Sequence, residues 1–511
     1  MTLRLVNSNY VVIGIDLGTS GVRVVAVNLQ GAIARSRSVS QRSAAPEAIA
    51  VQATRSYRLL TPHPGWTEQN PDDWIAATFQ ALTEVVQQLK DYQIVGLGLS
   101  GQMHGMVPLD AGGNVLRPAI LWNDQRTGKA VTTIETIVPR QELIQRTGNP
   151  AITGFQLPKI VWLRESEPQA FSQMHHVLLP KDYLGYVLTG EIATEPSDAS
   201  GVGCLNLGDR TWDLDILTAL DLNPQLFPPV MTSTAVVGKL KPEIASMTGL
   251  PAGLPIIAGG GDNAAAAIGL GISSTNCDRG SLSIGTSGVI FVPLSQPIPE
   301  PEGRVHLFCH ADGGYHLLGV TLAASGSLRW YRDTFFPDFS YDELTEWASS
   351  APPGSGGVIF LPHLAGERSP FLDSEARGAW LNLSLAHSKA EMTRAVLEGV
   401  AYSLRAALEV IEAIAPTHEF VATGGGSRST LWLQIITDVL GVNLAKPMLA
   451  EGAAYGAALL ALVGCDVYPN LETVFQLLPA IEEYTQPNSY PIYTDAFQRF
   501  TAIYTALKSI N

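Results

Sequence analysis

The stretch Ile15-Asp-Leu-Gly-Thr-Ser-Gly21 recurs as Ser283-Ile-Gly-Thr-Ser-Gly288 in the second half of the chain. Each copy lies between runs of β-branched and aliphatic residues, a pattern that predicts two strands joined by a glycine-rich turn. The backbone N–H groups and hydroxyls of such a turn form a concave set of donors that suits phosphate oxygens. Two copies in a 511-residue chain therefore predict two domains that grip one polyphosphate, the outline of an ATP-dependent phosphotransferase.

The composition indicates a globular protein with large buried sheets. Hydrophobic residues make up 46% of the sequence, charged residues only 15%, and the formal net charge is −15. A nucleic-acid partner is disfavoured because a phosphate backbone requires a basic face. No apolar run reaches the ~20 residues that span a bilayer, and four dispersed cysteines indicate reduced thiols. We therefore expect a cytoplasmic protein with no nucleic-acid and no membrane partner.

Strands that end in glycine-rich or polar loops alternate with helical segments, which predicts an α/β fold. In open α/β sheets, ligands collect beyond the carboxyl ends of the strands. The polar segments that follow predicted strands are Ser100–Gly105, Asn123–Arg126, Gly259–Asn263 and Gly424–Ser427. We expect these segments at the functional edges. The small-residue stretch 452–463 predicts a buried helix rather than a membrane span.

Asp262 is the candidate general base. It follows three glycines, where a backbone can approach a ligand closely. It also precedes a predicted helix, Ala264 to about Leu270, whose N-terminus favours the ionised carboxylate. Phosphorylation of an alcohol requires a group that accepts the hydroxyl proton, and a carboxylate suits that role. A simple helix cap is the competing interpretation of the same residue.

Other polar residues suit a ligand that carries a hydroxyl on most of its carbons. Asn263 and His104 are able to hydrogen-bond such hydroxyls, and Met103 is able to pack on the carbon skeleton. The predicted pocket wall after the next strand consists of Trp122, Asp124 and Arg126. A buried tryptophan beside a surface ion pair is the alternative interpretation of that wall.

Asp16 in the first turn predicts a magnesium ligand, because a divalent cation bridges a carboxylate and a phosphate. The predicted nucleotide ligands are the glycines and hydroxyls of both repeated turns and of two later loops. They are Gly18, Thr19, Ser20, Gly285, Thr286, Ser287, Gly326, Gly424, Gly425, Gly426 and Ser427. Taken singly, each glycine cluster is also explained by tight-turn geometry.

Motifs spread over residues 11–463 together resemble the FGGY family of carbohydrate kinases. They are Gly14-Ile-Asp-Leu-Gly-Thr-Ser-Gly21, Leu99-Ser-Gly-Gln-Met-His-Gly105, Leu121-Trp-Asn-Asp-Gln-Arg126, Leu179-Pro-Lys-Asp-Tyr183, Gly259-Gly-Gly-Asp-Asn263, Leu282-Ser-Ile-Gly-Thr-Ser-Gly288, Leu364-Ala-Gly-Glu-Arg368 and Gly424-Gly-Gly-Ser-Arg428. The resemblance implies a two-domain, actin-like (ribonuclease H-like) ATPase fold with a central cleft. It implies an N-terminal domain at 1–270 with the sugar site and the base, and a C-terminal domain at 271–511 with the nucleotide site. It further implies Mg²⁺ and ATP as cofactors, a ketopentose as acceptor, and a possible homodimer.

Within the family, the segments Ser100–Gly105 and Gly259–Asn263 are most similar to members that phosphorylate D-xylulose to the 5-phosphate. D-ribulose differs in one hydroxyl configuration, so a kinase for that ketose stays open. A nucleotide-dependent binding protein of another class also stays open, because the actin-like scaffold supports such functions. The polar acceptor residues favour the kinase, since a binding protein has no need of them.

Two residues depart from the family pattern. Arg23 stands where many members have lysine, and the two cations are not equivalent at a bidentate site. Gln156 stands where relatives more often carry a small hydroxyl residue. Both bear on the details of substrate fit rather than on the kinase chemistry.

Overall fold

The computed structural model describes residues 10–28, 49–447, 452–478, 481 and 484–508. Contacts divide the chain into two compact units. The described residues of the first unit fall within Met1–Ser274, Phe308–Tyr315 and Glu451–Pro479; those of the second fall within Thr275–Leu307, His316–Ala450 and Ala480–Asn511. This division departs from a single boundary after residue 270, because two later segments belong with the first unit.

A central sheet organises the first unit, with six strands counted over the described residues. In order across the sheet they are Val236–Lys239, Pro255–Gly261, Gln93–Gly101, Tyr10–Leu17, Gly21–Asn28 and Ile49–Ser56. Gln93–Gly101 pairs in parallel with Tyr10–Leu17 on one side and with Pro255–Gly261 on the other. The first glycine-rich turn joins the antiparallel strands Tyr10–Leu17 and Gly21–Asn28, as predicted. Three parallel strands therefore end at one edge of the sheet.

Helices cover both faces of this sheet. Leu97 and Leu99 join the core that contains helix Pro71–Gln87. Gly98 lies between them and faces the opposite side, because successive residues of a strand alternate. There a Cβ on Gly98 would lie 2.0 Å from the carbonyl oxygen of Ala457 in helix Gly452–Gly464. The predicted buried helix is confirmed, and its small residues allow it to approach the strands closely.

The remaining helices of the first unit surround the sheet and its loops. They are Gly128–Ile137, Arg140–Thr147, Gln156–Ser166, Pro168–Gln173, Pro180–Thr189, Pro196–Ala199, Leu214–Ala219, Pro242–Thr248, Asp262–Gly269 and Leu471–Phe475. Short antiparallel pairs join Glu68–Gln69 to Ala119–Ile120, Val107–Leu109 to His176–Leu178, and Leu205–Asn206 to Thr211–Trp212. Within the described ranges, no helix has both the length and the apolar content needed to cross a bilayer.

Most strand residues of a second sheet, seven-stranded over its described residues, lie in the second unit. In order across the sheet the strands are His306–Cys309, Tyr315–Thr321, Gly288–Leu294, Arg279–Ile284, Glu419–Thr423, Asn443–Ala445 and Tyr484–Thr485. The second glycine-rich turn joins Arg279–Ile284 to Gly288–Leu294 as an antiparallel hairpin. Glu419–Thr423 pairs in parallel with Arg279–Ile284. The second turn and the Gly424–Ser427 loop therefore follow neighbouring strands.

The helices of the second unit include one long helix where residues 388–415 predict one or two. Lys389–Glu412 is continuous, and Ser388 and Glu391 form a reciprocal capping box at its start. The other helices are Ser325–Phe335, Tyr341–Ser350, Thr430–Leu440 and Pro491–Lys508. A short antiparallel pair joins Ile359–Leu361 to Ala379–Leu381. The predicted α/β class is confirmed in both units.

Candidate active site

The sheet register of the first unit brings its predicted site residues to one edge. Asp16 lies opposite Ser100 across one parallel pair, and Gly260 lies opposite Ser100 across the other. The loop with Met103 and His104 begins directly after the middle strand. Asp262 and Asn263 follow the outer one. Main-chain pairing therefore collects residues that are far apart in the sequence.

Asp262 is the first residue of helix Asp262–Gly269, with Gly261 as its N-cap. The helix thus begins two residues before the predicted Ala264. The Asp262 Oδ1 accepts hydrogen bonds from the Asn263 backbone N (2.7 Å) and Nδ2 (2.8 Å). Burial raises the Asp262 pKa to about 6, although both of these hydrogen bonds lower it. Such a carboxyl is ionised at neutral pH yet close enough to neutrality to accept a proton.

Asp16 has the chemistry of a cation ligand. Its Oδ1 is buried and has no hydrogen-bond partner among the residues that the structure describes. Burial, and then the charge of Asp262, raise the Asp16 pKa to about 7, whereas Arg23 lowers it. Two neighbouring carboxylates with raised pKa values favour a bound cation, which would relieve both burial and repulsion. The residues present therefore fit a magnesium ion.

A buried ionic cluster lies behind Asp262. The Lys181 Nζ is 2.7 Å from an Asp182 oxygen, 3.7 Å from Asp198 and 3.8 Å from Glu195. Burial raises the pKa of Asp198 well above its usual range; Lys181 opposes this, and nearby carboxylates including Asp262 reinforce it. The Asp198 carboxyl therefore takes up a proton more readily than an exposed aspartate, and Lys181 balances part of the negative charge near the candidate base.

His104 is held in a backbone conformation that few residues other than glycine adopt. Its φ is 67°, and its ring stacks on Phe155 with the centroids 4.6 Å apart. The His104 Nδ1 lies 2.6 Å from the Gly201 carbonyl oxygen. Because a carbonyl oxygen only accepts, the Nδ1 carries the hydrogen of this bond. The bond therefore fixes the orientation of the imidazole ring.

Lys159 is a residue of this site that sequence reasoning missed. It is fully buried, and its Nζ donates to the carbonyl oxygens of His104 and Gly154, both at 2.7 Å. Burial lowers its pKa well below the usual lysine value. A lysine within the apolar stretch Leu157–Leu163 was the signal that the sequence offered. Its hydrogen bond to the carbonyl oxygen of His104, 55 positions earlier, could not be predicted from the local sequence pattern.

Gln156, noted above as a departure from the family pattern, is also part of the loop's support. Its Nε2 donates to the Gly105 carbonyl oxygen (2.7 Å) and to the Leu178 carbonyl oxygen (3.1 Å). The amide side chain therefore fixes the backbone just after Met103 and His104. Met103 itself is buried; a Cβ on Gly261 would lie 3.0 Å from the Met103 Cγ.

The Thr19 hydroxyl belongs to a network of side chains. It accepts a hydrogen bond from Trp122 Nε1 (2.9 Å) and donates to Gln102 Oε1 (3.2 Å). Gln69 donates to the Thr19 carbonyl oxygen and accepts from Gln102. The Thr19 hydroxyl is already hydrogen-bonded within the protein, so a phosphate contact of Thr19 stays a prediction and would use its backbone N–H. The Trp122 indole supports the turn through its bond to this hydroxyl.

Asp124 and Arg126 form a buried ion pair, in place of the surface pair considered above. The Arg126 Nε and Nη2 donate to the Asp124 carboxylate at 2.7–3.0 Å, and Nη1 lies 2.7 Å from a Glu68 carboxylate oxygen. The guanidinium also stacks over Trp66 at 3.7 Å. The structure shows a bracing role for this pair. Direct sugar contact by Asp124 and Arg126 stays a prediction.

The second unit brings its predicted nucleotide residues together. The Thr286 carbonyl oxygen accepts from Ala324 N (2.8 Å) and Gly326 N (3.1 Å). Gly424 has a φ of 84°, and a Cβ there would lie 2.7 Å from the Ile284 carbonyl, at the base of the same turn. A Cβ on Gly426 would lie 2.3 Å from Ile284 Cγ2, whereas a Cβ on Gly425 would meet no described residue within 4 Å. The Ser427 Oγ donates to the Gly424 carbonyl oxygen (2.8 Å).

Fold and sites together define an α/β phosphotransferase with two related glycine-rich turns and a carboxylate pair at a strand edge. Two family models match the chain: the N-terminal domain of the FGGY family of carbohydrate kinases over residues 11–269, and its C-terminal domain over residues 280–465. The chain therefore belongs to the FGGY family of carbohydrate kinases. The predicted family is confirmed.

Individual relatives match over almost their full lengths. The chain is 37% identical to a xylulose kinase of Bacillus subtilis (strain 168), over 98% of both chains. It is 38% identical to a xylulose kinase of Escherichia coli (strain K12), over 97% of this chain and 99% of that one. The crystal structure of a "xyloylose kinase" from Brucella ovis matches with a TM-score of 0.89 at 34% identity, covering 98% of this chain and 100% of that one. The predicted actin-like two-domain kinase fold is confirmed.

Proposed function

We propose that this carbohydrate kinase transfers the γ-phosphoryl group of ATP to D-xylulose, giving D-xylulose 5-phosphate and ADP. The names of the relatives at 37–38% identity support the substrate. The geometry supports the reaction through one observation above all. A carboxyl with a pKa of about 6, Asp262, lies at the strand edge that also carries the His104 loop.

Asp262 is the proposed general base. The sugar hydroxyl loses its proton to the Asp262 carboxylate as its oxygen attacks the γ-phosphorus, and the bond from that phosphorus to the ADP oxygen breaks. Asn263 holds Asp262 through two hydrogen bonds and so fixes the accepting oxygen. His104, Met103 and Asn263 are the proposed sugar contacts.

The proposed nucleotide site is the turn Gly285–Ser287 with Gly326 and the loop Gly424–Ser427. Their mutual contacts support this, since Gly424 and Gly426 are required at the base of the turn by close approach. Asp16 is the proposed ligand for Mg²⁺, directly or through water, together with phosphate oxygens. When bound, the ion neutralises phosphate charge. The chain's own contribution is the buried Asp16 Oδ1, which has no hydrogen-bond partner among the residues that the structure describes.

The experiment is ATP consumption by the purified protein with Mg²⁺ and D-xylulose, D-ribulose, L-ribulose, glycerol, gluconate or no sugar. We expect stimulation by D-xylulose above all others. Stimulation by D-ribulose instead would keep the kinase chemistry and replace the substrate. ATP turnover that ignores every sugar would favour the nucleotide-dependent binding protein. Cytoplasmic localisation and a homodimer belong to the same proposal, and fractionation and sedimentation test them.

A further inference from the structure

The segment Leu364-Ala-Gly-Glu-Arg368 is held firmly within the second unit. The buried Glu367 carboxylate accepts hydrogen bonds from Leu322 N (2.8 Å) and from Ser403 Oγ (2.9 Å). It also accepts from the Arg368 backbone N (2.9 Å), and His363 Nδ1 lies 3.1 Å away. These contacts use both carboxylate oxygens and fix the position of the backbone around Glu367.

Glu367 and its neighbours contact the second sheet at the end where the second glycine-rich turn lies. The Ser369 N donates to the Val320 carbonyl oxygen (2.8 Å), so the neighbours of Arg368 bond to residues on either side of Thr321. A Cβ on Gly288 would lie 2.6 Å from the Thr321 Oγ1, which places Thr321 directly beside the turn. Two residues after Leu322, Ala324 N donates to the Thr286 carbonyl oxygen (2.8 Å).

The Arg368 side chain contrasts with its anchored backbone. It is partly buried, and its guanidinium forms no hydrogen bond or ion pair with any residue in the described part of the chain. Other buried arginines do have partners: Arg394 contacts Glu398 at 2.7 Å, and Arg126 contacts Asp124 at 2.7 Å. Burial lowers the pKa of Arg368, and the charge of the neighbouring Glu367 opposes this only in part.

We propose that Arg368 binds phosphate oxygens at this edge. A guanidinium presents paired N–H donors that match phosphate geometry, and a partly buried one gains most from an anion. The inference rests on the proposed function. The phosphate comes from one of two sources: the terminal phosphates of a nucleotide at Gly285–Ser287, or the phosphoryl group after its transfer to the sugar.

The test compares Arg368→Met and Arg368→Lys with a matched control, Arg377→Met. Arg377 lies nearby in the sequence, but its side chain is 55% exposed and donates to carbonyl oxygens of its own segment. We expect Arg368→Met to lower kcat/KM by about 10²-fold or more, as when one preorganised donor to a developing charge is removed. Arg368→Lys should recover part of the loss, and Arg377→Met should match the wild type.

Binding measurements separate the two sources and do not depend on turnover. Weaker ADP binding by Arg368→Met, with AMP binding unchanged, assigns the contact to the terminal phosphates of the nucleotide. Unchanged ADP binding with weaker binding of the sugar phosphate assigns it to the transferred group. Wild-type kcat/KM and wild-type affinities for all three ligands in a folded Arg368→Met would overturn the inference. If Arg368→Met fails to fold, the same readouts on Arg368→Lys decide.

The kinetic and binding measurements also test the role of Arg368 separately from the proposed function. A wild-type protein that phosphorylates no sugar contradicts the proposed function, yet the ADP and AMP affinities of the variants still test the nucleotide contact. A wild-type protein that phosphorylates D-xylulose with no effect of Arg368→Met or Arg368→Lys contradicts only the role of Arg368.

Discussion

Replacement of Asp262 by Asn tests the proton-accepting role of the carboxylate separately from its structural role. The Asn side chain has nearly the same shape and keeps an acceptor oxygen for Asn263 N and Nδ2, so the local structure should persist. Near pH 8 a carboxyl with a pKa of about 6 is almost wholly ionised, and the variant loses that proton acceptor entirely. We expect kcat to fall by about 10²–10⁴-fold, the usual contribution of a general base.

The same variant should be at least as stable as the wild type. Raising the Asp262 pKa from 3.8 to about 6 corresponds to about 3 kcal/mol of charge burial at a pH above both values. The neutral Asn removes this cost and the repulsion with Asp16, so the variant should unfold at a higher temperature near pH 8 without Mg²⁺. The gain should vanish as the pH falls through about 6 towards 3.8, because the wild-type carboxyl then becomes neutral.

The assay is steady-state ATP consumption with D-xylulose, combined with thermal unfolding and ADP binding. Asp91→Asn is the control, since Asp91 is exposed in the same unit. Wild-type kcat in Asp262→Asn would refute the general-base role. A fall in kcat that accompanies a lower unfolding temperature would instead indicate that Asp262 is a structural cap.

Three further predictions follow from the same contacts. Lys159→Met should raise the KM for D-xylulose by about tenfold while leaving the KM for ATP unchanged, because it removes the buried hydrogen bond to the His104 carbonyl oxygen; the exposed Lys129→Met is the control, and equal changes in both KM values would contradict the positioning role. The kcat/KM for sugar should fall as the pH drops below about 6, since Asp262 must be ionised to accept a proton; a profile flat down to pH 5 would contradict this. Gly456→Ala should destabilise the protein by about 1–3 kcal/mol or more, because its Cβ would lie 1.6 Å from the Ala265 carbonyl oxygen in the Asp262 helix; Gly128→Ala, whose Cβ would meet no described residue within 4 Å, is the control for denaturant unfolding, and equal stability of the two variants would contradict close packing.

The positions of these strands and turns along the chain were predictable, because local sequence patterns specify them. The repeated glycine-rich turns, the strand before Ser100 and the strand before Asp262 each combine a β-branched or apolar run with glycine. Parallel pairing then places their carboxyl ends at one edge. The segments that carry His104 and Asp262 were therefore predicted at functional edges by the α/β rule, whereas Asp16 was assigned to the metal from its carboxylate chemistry.

The supporting residues could not be predicted in the same way, because their contacts are long-range. Lys159 bonds to a carbonyl oxygen 55 residues away, and the Trp122 indole bonds to the Thr19 hydroxyl 103 residues away. The helix Gly452–Gly464 was predicted as buried, but its place against Gly98 in the first unit depends on a contact between distant parts of the chain. The composition of a segment does not show which distant residues it will contact.

The most direct test of the central claim is the identity of the product. The purified protein is incubated with Mg²⁺, ATP and D-xylulose, and the mixture is followed by phosphorus and carbon nuclear magnetic resonance. We predict ADP together with a phosphomonoester on C5 of the sugar, formed by the wild type and, far more slowly, by Asp262→Asn. Inorganic phosphate without a sugar phosphate, or equal product formation by both proteins, would contradict the account.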